Sequence, residues 1–348
     1  MENISVNELT DSTNSSLPRE IKVALAKKVL SQEQNIEKAK EKFSEIAKDL
    51  EQKKQKEVVN ATGTVLHTNL GRSPNSIEFS GRYTNVEYDL KNYRRGIRNE
   101  YLSSALTSFL GCEEIIFVNN NASSLYLSLR ALAKNYEFQN VIISRGEIIE
   151  IGGSYRLPEI IKETGLQMIE VGTTNKTNLN DYTKALKDFP NSIILKVHRS
   201  NYSISGFTEE VSIKELSDIK ENYDTVLIHD LGSGLVVDRK FLEVNHIDIF
   251  NNETSVQNSL DDGSDLVMFS GDKLFGSVQS GIIAGKSKLI ENIKNYSLFR
   301  TYRCSPLTLF ELQKTVVHYI NKDELNIPFW YLISQSYQSL EMRIENIV

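Results

Sequence analysis

The chain has 348 residues, 40% hydrophobic and 25% charged, which is enough for one large domain with a buried core and a smaller domain beside it. A formal net charge of -6 excludes bulk electrostatic attraction to nucleic acid, so an RNA partner would need a local basic face. The N-terminus lacks a basic stretch followed by an apolar core, no window approaches the roughly 18 apolar residues of a spanning helix, and Cys112 and Cys304 form neither a metal spacing nor a disulfide framework. A cytoplasmic protein with no membrane contact and no metal site is expected.

Residues 1–16 are polar, and Asp11-Ser-Thr-Asn-Ser-Ser16 reads as loop or disorder. Pro18 suits a first helical turn. From Arg19 to Gln55 the pattern is helical, with Ile36, Ala39, Phe43, Ile46, Ala47 and Leu50 recurring at three- and four-residue steps. Residues 1–57 carry eleven basic and eleven acidic side chains, the balance of a salt-bridge-laced helix face.

From Val58 short apolar strands alternate with helical stretches. Strands are predicted at Glu114–Val118, Asn140–Ser144, Met168–Val171, Ser192–Val197, Thr225–His229, Asp265–Phe269 and Ile282–Ala284. Helices are predicted at Ser123–Asn135, Leu157–Thr164, Leu179–Leu186 and Ser212–Asn222. This alternation predicts an α/β fold, a mainly parallel sheet flanked by helices. Ligands in such sheets collect at the carboxyl ends of strands, where Asn119, His198, Asp230 and Ser270 all fall.

Lys273 sits in a Gly-rich turn after one strand, and Asp230 in Asp230-Leu-Gly-Ser-Gly234 at the end of another. A lysine that can condense with an aldehyde and a carboxylate that keeps a pyridine nitrogen protonated are the pair a pyridoxal phosphate (PLP) enzyme needs. Asn120, Asn121, Ala122 and Ser123 follow a strand and open a helix, so their amides could accept the cofactor phosphate, although N-capping explains the same residues. Ser270 is a second phosphate candidate or an ordinary turn serine. His67 and His198 could each pack near the cofactor or be satisfied core or loop histidines. Gly152-Gly-Ser-Tyr-Arg156 matches a run of the cystathionine-lyase-like PLP enzymes, but Ile151 stands where they carry a stacking aromatic. Arg300 and Arg303 are three residues apart and on a helix would face the same way.

Eight segments, in one order, resemble the bacterial selenocysteine synthases, the L-seryl-tRNA(Sec) selenium transferases. They are Asn60–Arg72, Val118–Ala122, Ser144–Gly153, Glu170–Asn175, Lys196–Tyr202, Gly206–Glu210 and the Asp230 and Lys273 motifs. The resemblance implies a PLP-dependent transferase of fold type I and conversion of seryl-tRNA(Sec) to selenocysteinyl-tRNA(Sec) with selenophosphate, by way of a dehydroalanyl intermediate. It makes Lys273 and Asp230 catalytic and places Arg72, Arg300 and Arg303 on the selenophosphate-type anion. Arg95 and Arg98 match a segment near the subunit interface, and the family forms homo-oligomers built from dimers, a homodecamer. Residues 1–57 become a helical N-terminal region that engages tRNA, 58–303 the PLP-binding large domain, and 304–348 the start of an incomplete C-terminal small domain, with apolar residues after Leu332 left exposed. After the lysine the family usually reads Gly-Gly-Pro-Gln-Ala-Gly, where this chain has Gly276-Ser-Val-Gln-Ser-Gly281. Two other readings stay open: a PLP lyase or transaminase acting on a small phosphorylated amino compound, and a noncatalytic truncated homologue.

Overall fold

In the computed structural model, which describes residues 4–54, 58–75, 84–151, 155–200 and 202–345, Ser5 and Glu8 cap each other's backbone N–H groups and start a helix at Val6–Asp11. Polar composition hides that helix, because its signal is the capping box and its anchors are buried Leu9 and half-buried Val6. The single helix expected after Arg19 is two, Arg19–Leu30 and Ile36–Gln52, since Asn35 accepts the Lys38 N–H and restarts the chain as an N-cap. Leu9, Ala26, Val29, Ala39 and Phe43 form the core of this first compact unit, Met1–Ala61.

The second unit, Thr62–Val348, is built on seven strands: β1 (Glu114–Val118), β2 (Asn140–Ser144), β3 (Gln167–Val171), β4 (Ser192–Val197), β5 (Val226–Gly232), β6 (Leu266–Ser270) and β7 (Gly281–Gly285). Their order is β1-β7-β6-β5-β4-β2-β3, and only β7 runs antiparallel to its neighbours. Strands such as Ser192-Ile-Ile-Leu-Lys-Val197 are buried throughout because both faces of the sheet are covered. Alternation shows which residue faces which layer. Ile115, Phe117, Val267 and Phe269 join a core with Leu102, Phe275 and Trp330, whereas Ile116, Val118, Leu266 and Met268 join the opposite core with Leu125 and Leu129.

The helices Pro306–Asn321 and Pro328–Ile333 complete the first of these cores beneath the lysine turn. Trp330 donates its indole N–H to Tyr319 Oη at 2.9 Å, and Tyr319 donates to the Phe275 carbonyl at 2.8 Å, two residues from Lys273. Beyond them Leu332, Tyr337, Leu340, Met342 and Ile344 are exposed. No helix among the described residues is long and apolar enough to cross a membrane.

Candidate active site

Asp230 lies near the carboxyl end of β5. In the β5–β6 register Met268 faces Asp230 and Phe269 faces Gly232, so Leu231 is an extra residue that bends the strand there. Lys273 follows β6 by three residues, in a turn closed by hydrogen bonds from Leu274 N–H to Ser233 O and from Gly276 N–H to Lys273 O, both 2.9 Å. Ser277, which stands where the family usually has glycine, is fully buried and hydrogen-bonds Thr315 at 2.8 Å, so the substitution is seated within the turn.

The two groups face one space. Lys273 Nζ and Ser200 Oγ each lie 3.7 Å, and Asp230 Oδ1 4.0 Å, from the point that a Cβ on Gly232 would occupy. Gly232 has φ +63°, a conformation that favours glycine. Asp230 is buried, and Asn121 donates its side-chain amide to Oδ1 at 2.8 Å. Burial pushes the Asp230 carboxyl up, opposed by that hydrogen bond and by the Lys273 charge. Burial pushes the Lys273 amine down, opposed by Asp230 and reinforced by Arg72. No described residue hydrogen-bonds Lys273 Nζ, whereas Lys196 is held by Glu147 at 2.6 Å.

Asn120 caps the helix Asn121–Tyr136, its side chain accepting the Ser123 N–H at 2.8 Å, so capping occupies one of the amides expected for phosphate. Ala122 stands in the same first turn, and Ser270 ends β6, buried. His198 follows β4, its N–H donating to the Asp230 carbonyl at 2.9 Å, and its Nε2 lies 3.1 Å from Glu253 Oε1. His67 Nδ1 is buried with no hydrogen-bond partner among the described residues.

The arginines divide. Arg72 is the one whose charge acts on Lys273, and its Nη1 pairs with buried Asp272 at 2.6 Å. Arg95, Arg98 and Arg303 converge instead on Glu87, at 3.1, 2.8 and 3.6 Å, and Arg98 also donates to the Cys304 carbonyl. The expected shared helical face of Arg300 and Arg303 is not present. The helix ends at Tyr302, and Arg303 is extended in a bridge with Val118 because the end of β1 captures this segment. Arg300 is exposed and makes no ion pair with a described residue. Cys304 donates its thiol to the Val118 carbonyl, and burial pushes it up to about 12, which makes it structural. Gly152, Gly153, Ser154 and Asn201 lie outside the described residues, as do Gln55, Lys56 and Glu57 at the expected boundary of the N-terminal region. Glu253 and Asp272 escaped the sequence reading: Asn251-Asn-Glu-Thr254 looks like any polar loop, while the place of Asp272 beside Lys273 was a usable signal.

The sheet order, the single antiparallel strand and the lysine and aspartate at adjoining strand ends define the fold of the PLP-dependent transferases of fold type I. D-Glucosaminate-6-phosphate ammonia-lyase shares that fold, with a TM-score of 0.52 at 17% identity over 64% of this chain and 57% of that one. The model of the L-seryl-tRNA selenium transferase family matches residues 58–348, and the chain belongs to that family. It is 41% identical to the L-seryl-tRNA(Sec) selenium transferase of Aliarcobacter butzleri over 86% of this chain and 66% of the relative. It is 43% identical to the one from Wolinella succinogenes over 83% of this chain and 64% of that relative. The chain thus spans slightly less than two thirds of the length of these relatives.

The pocket fits PLP. An amine that no described residue hydrogen-bonds and a fixed buried carboxylate border one space, and Asn121 Oδ1 and Asp272 Oδ1 are buried polar atoms with no hydrogen-bond partner among the described residues.

Proposed function

We propose that this chain catalyses conversion of L-seryl-tRNA(Sec) to L-selenocysteinyl-tRNA(Sec), with PLP as cofactor and selenophosphate as selenium donor. The observation that carries the reading is the space shared by Lys273 and Asp230 in a member of this family. PLP bound there supplies an electron-withdrawing ring that acidifies the serine Cα and makes its β-hydroxyl expendable. Asp230 holds positive charge at the ring nitrogen, and Asn121 aims the carboxylate. Lys273 takes the Cα proton, its burial favouring the neutral amine that can accept one.

The first turn formed by Asn120, Asn121, Ala122 and Ser123, with Ser270, holds the cofactor phosphate, and His198 borders the ring. Arg72, Arg300 and Arg303 hold the donor anion by charge-assisted hydrogen bonds. Residues 1–57 contribute to holding tRNA through phosphate and shape contacts. Arg95 and Arg98 lie toward a subunit interface. Nearby Tyr93, Ile97 and Tyr101, 80%, 67% and 58% exposed, support a homo-oligomer built from dimers. The protein works in the cytoplasm.

The test is to incubate PLP-loaded protein with seryl-tRNA(Sec) and selenophosphate, release the aminoacyl group and weigh it. Replacement of the hydroxyl oxygen by selenium is expected. Turnover of free serine or of a small phosphorylated amino compound, with seryl-tRNA untouched, would instead identify a small-molecule lyase.

A further inference from the structure

Glu253 has no place in the pairing described so far, yet it is built into the same pocket. It ends a short turn, its N–H donating to the Phe250 carbonyl at 3.0 Å, and Phe250 packs edge-on against Trp330 with ring centroids 6.0 Å apart. Two residues on, Ser255 bridges Leu235 beyond the end of β5. The backbone is therefore held on both sides and the carboxylate is aimed inward, 18% exposed. Its Oε1 stands 3.1 Å from His198 Nε2, near enough for an ion pair but off the line of a hydrogen bond, and both atoms are buried with no hydrogen-bond partner among the described residues. Catalytic hydrogen bonds are often misaligned in empty sites and tighten when the site fills.

The surrounding charges are few. Glu253 faces His198, the Ser233 hydroxyl and Lys273; His198 also feels Asp230 and buried His229; Lys273 feels Asp230, Arg72, Asp272 and Glu253. Burial alone would raise the Glu253 carboxyl, but His198, Ser233 and Lys273 outweigh it and hold it below the usual glutamate range. His229 cannot substitute, since Ser259 holds its Nδ1 at 2.7 Å.

We propose that Glu253 is a positioning residue acting through His198: its carboxylate holds the imidazole Nε2 proton, fixing the ring beside Asp230 and Lys273 and leaving Nδ1 as the nitrogen that exchanges protons with the pocket. The proposal deepens the reading of Lys273 and Asp230 as one catalytic site and rests on it. The arrangement is that of a carboxylate that sets the tautomer of a working histidine.

The experiment uses the full chain with PLP added, labelled with 15N at the histidine rings, as wild type, Glu253→Asp, Glu253→Leu, Glu253→Ala and His198→Asn. The last assigns the His198 signals. Read at a pH where the imidazole is neutral, the expected result is protonation at Nε2 in wild type and Glu253→Asp, and mixed or Nδ1 protonation in Glu253→Ala. Turnover should fall about 10²-fold in kcat in Glu253→Ala with KM little changed, and recover in Glu253→Asp. A His198 tautomer indifferent to Glu253→Ala overturns the proposal. Were Glu253→Ala not to fold, an unchanged ring signature and kcat in Glu253→Leu, which keeps the volume and accepts no hydrogen bond, would overturn it equally. Failure of wild type to capture PLP would be a separate outcome, sinking the cofactor site itself, because the ring signature is read whether or not seryl-tRNA turns over.

Discussion

Asn121 donates its side-chain amide to Asp230 Oδ1 over 2.8 Å, although the strands that lead to them, β1 and β5, are separated in the sheet by β7 and β6. The helix Asn121–Tyr136 packs over those two strands, and this carries its first residue to the carboxylate. Gly281 makes the crossing possible: a Cβ there would lie 2.2 Å from the Asn120 carbonyl oxygen and from Ser124 Oγ. Asn121→Ala should therefore weaken PLP binding. A hydrogen bond to a charged group contributes about 1.5–3 kcal/mol, so the loss should be roughly tenfold or more, read by titrating the apoprotein with PLP. Unchanged affinity would remove Asn121 from the site.

Arg72 and Arg303 differ in what already holds them, Asp272 for the first and Glu87 for the second. Arg72→Ala removes the guanidinium whose charge reaches Lys273 and should cost roughly 10²-fold in rate, with a weakened response to selenophosphate concentration. Arg300→Ala and Arg303→Ala should act on the same step. A donor response identical to wild type in all three would place the anion elsewhere.

Trp330 supports the lysine turn from below, fully buried and linked through Tyr319 to the Phe275 carbonyl. Trp330→Ala should cost about 3–5 kcal/mol of stability and lower Tm, while Trp330→Phe should cost less by keeping most of the packing. Equal melting curves for wild type and Trp330→Ala would show that the C-terminal helices do not brace the site.

Glu87 gives a pH signature. Its hydrogen bond from Arg98, then the charges of Arg98, Arg95 and Arg303, hold the carboxyl below the usual glutamate range. A lowered folded value means stability that is present above the unfolded glutamate value and lost as pH falls through the folded one. Glu87→Gln should accordingly destabilise the protein at neutral pH, by less than about 1 kcal/mol given the solvent around the cluster, with the difference closing in acid. Denaturant midpoints compared at the two pH values check this, and a gap that widens in acid would contradict it.

Much of this architecture was legible in the chain because its strongest signals are local. Short apolar runs bounded by turn residues, such as Ile193–Leu195, read as strands covered on both faces, and their spacing with helices gives the parallel sheet and its ligand-bearing ends. The placement of Lys273 and Asp230 at the ends of adjoining strands was legible for the same reason. The short helix at Val6–Asp11 was not, since capping and one buried leucine outweigh a polar composition only when the fold supplies the contact. The parting of Arg303 from Arg300 was hidden as well, because β1, far away in sequence, decides it. Glu253 is the extreme case. Nothing in its own neighbourhood marks it, and its role comes from packing that Phe250 and Leu235 impose.

The most direct measurement is borohydride reduction of the PLP-loaded protein followed by peptide mapping, in wild type, Lys273→Ala and Asp230→Ala. A single pyridoxyl mark on Lys273 is expected in wild type and none in Lys273→Ala, with the fold intact by circular dichroism. In Asp230→Ala the mark should persist with looser cofactor binding and turnover reduced roughly 10²- to 10³-fold. A mark on another lysine, or one that survives in Lys273→Ala, would contradict the assignment of the site.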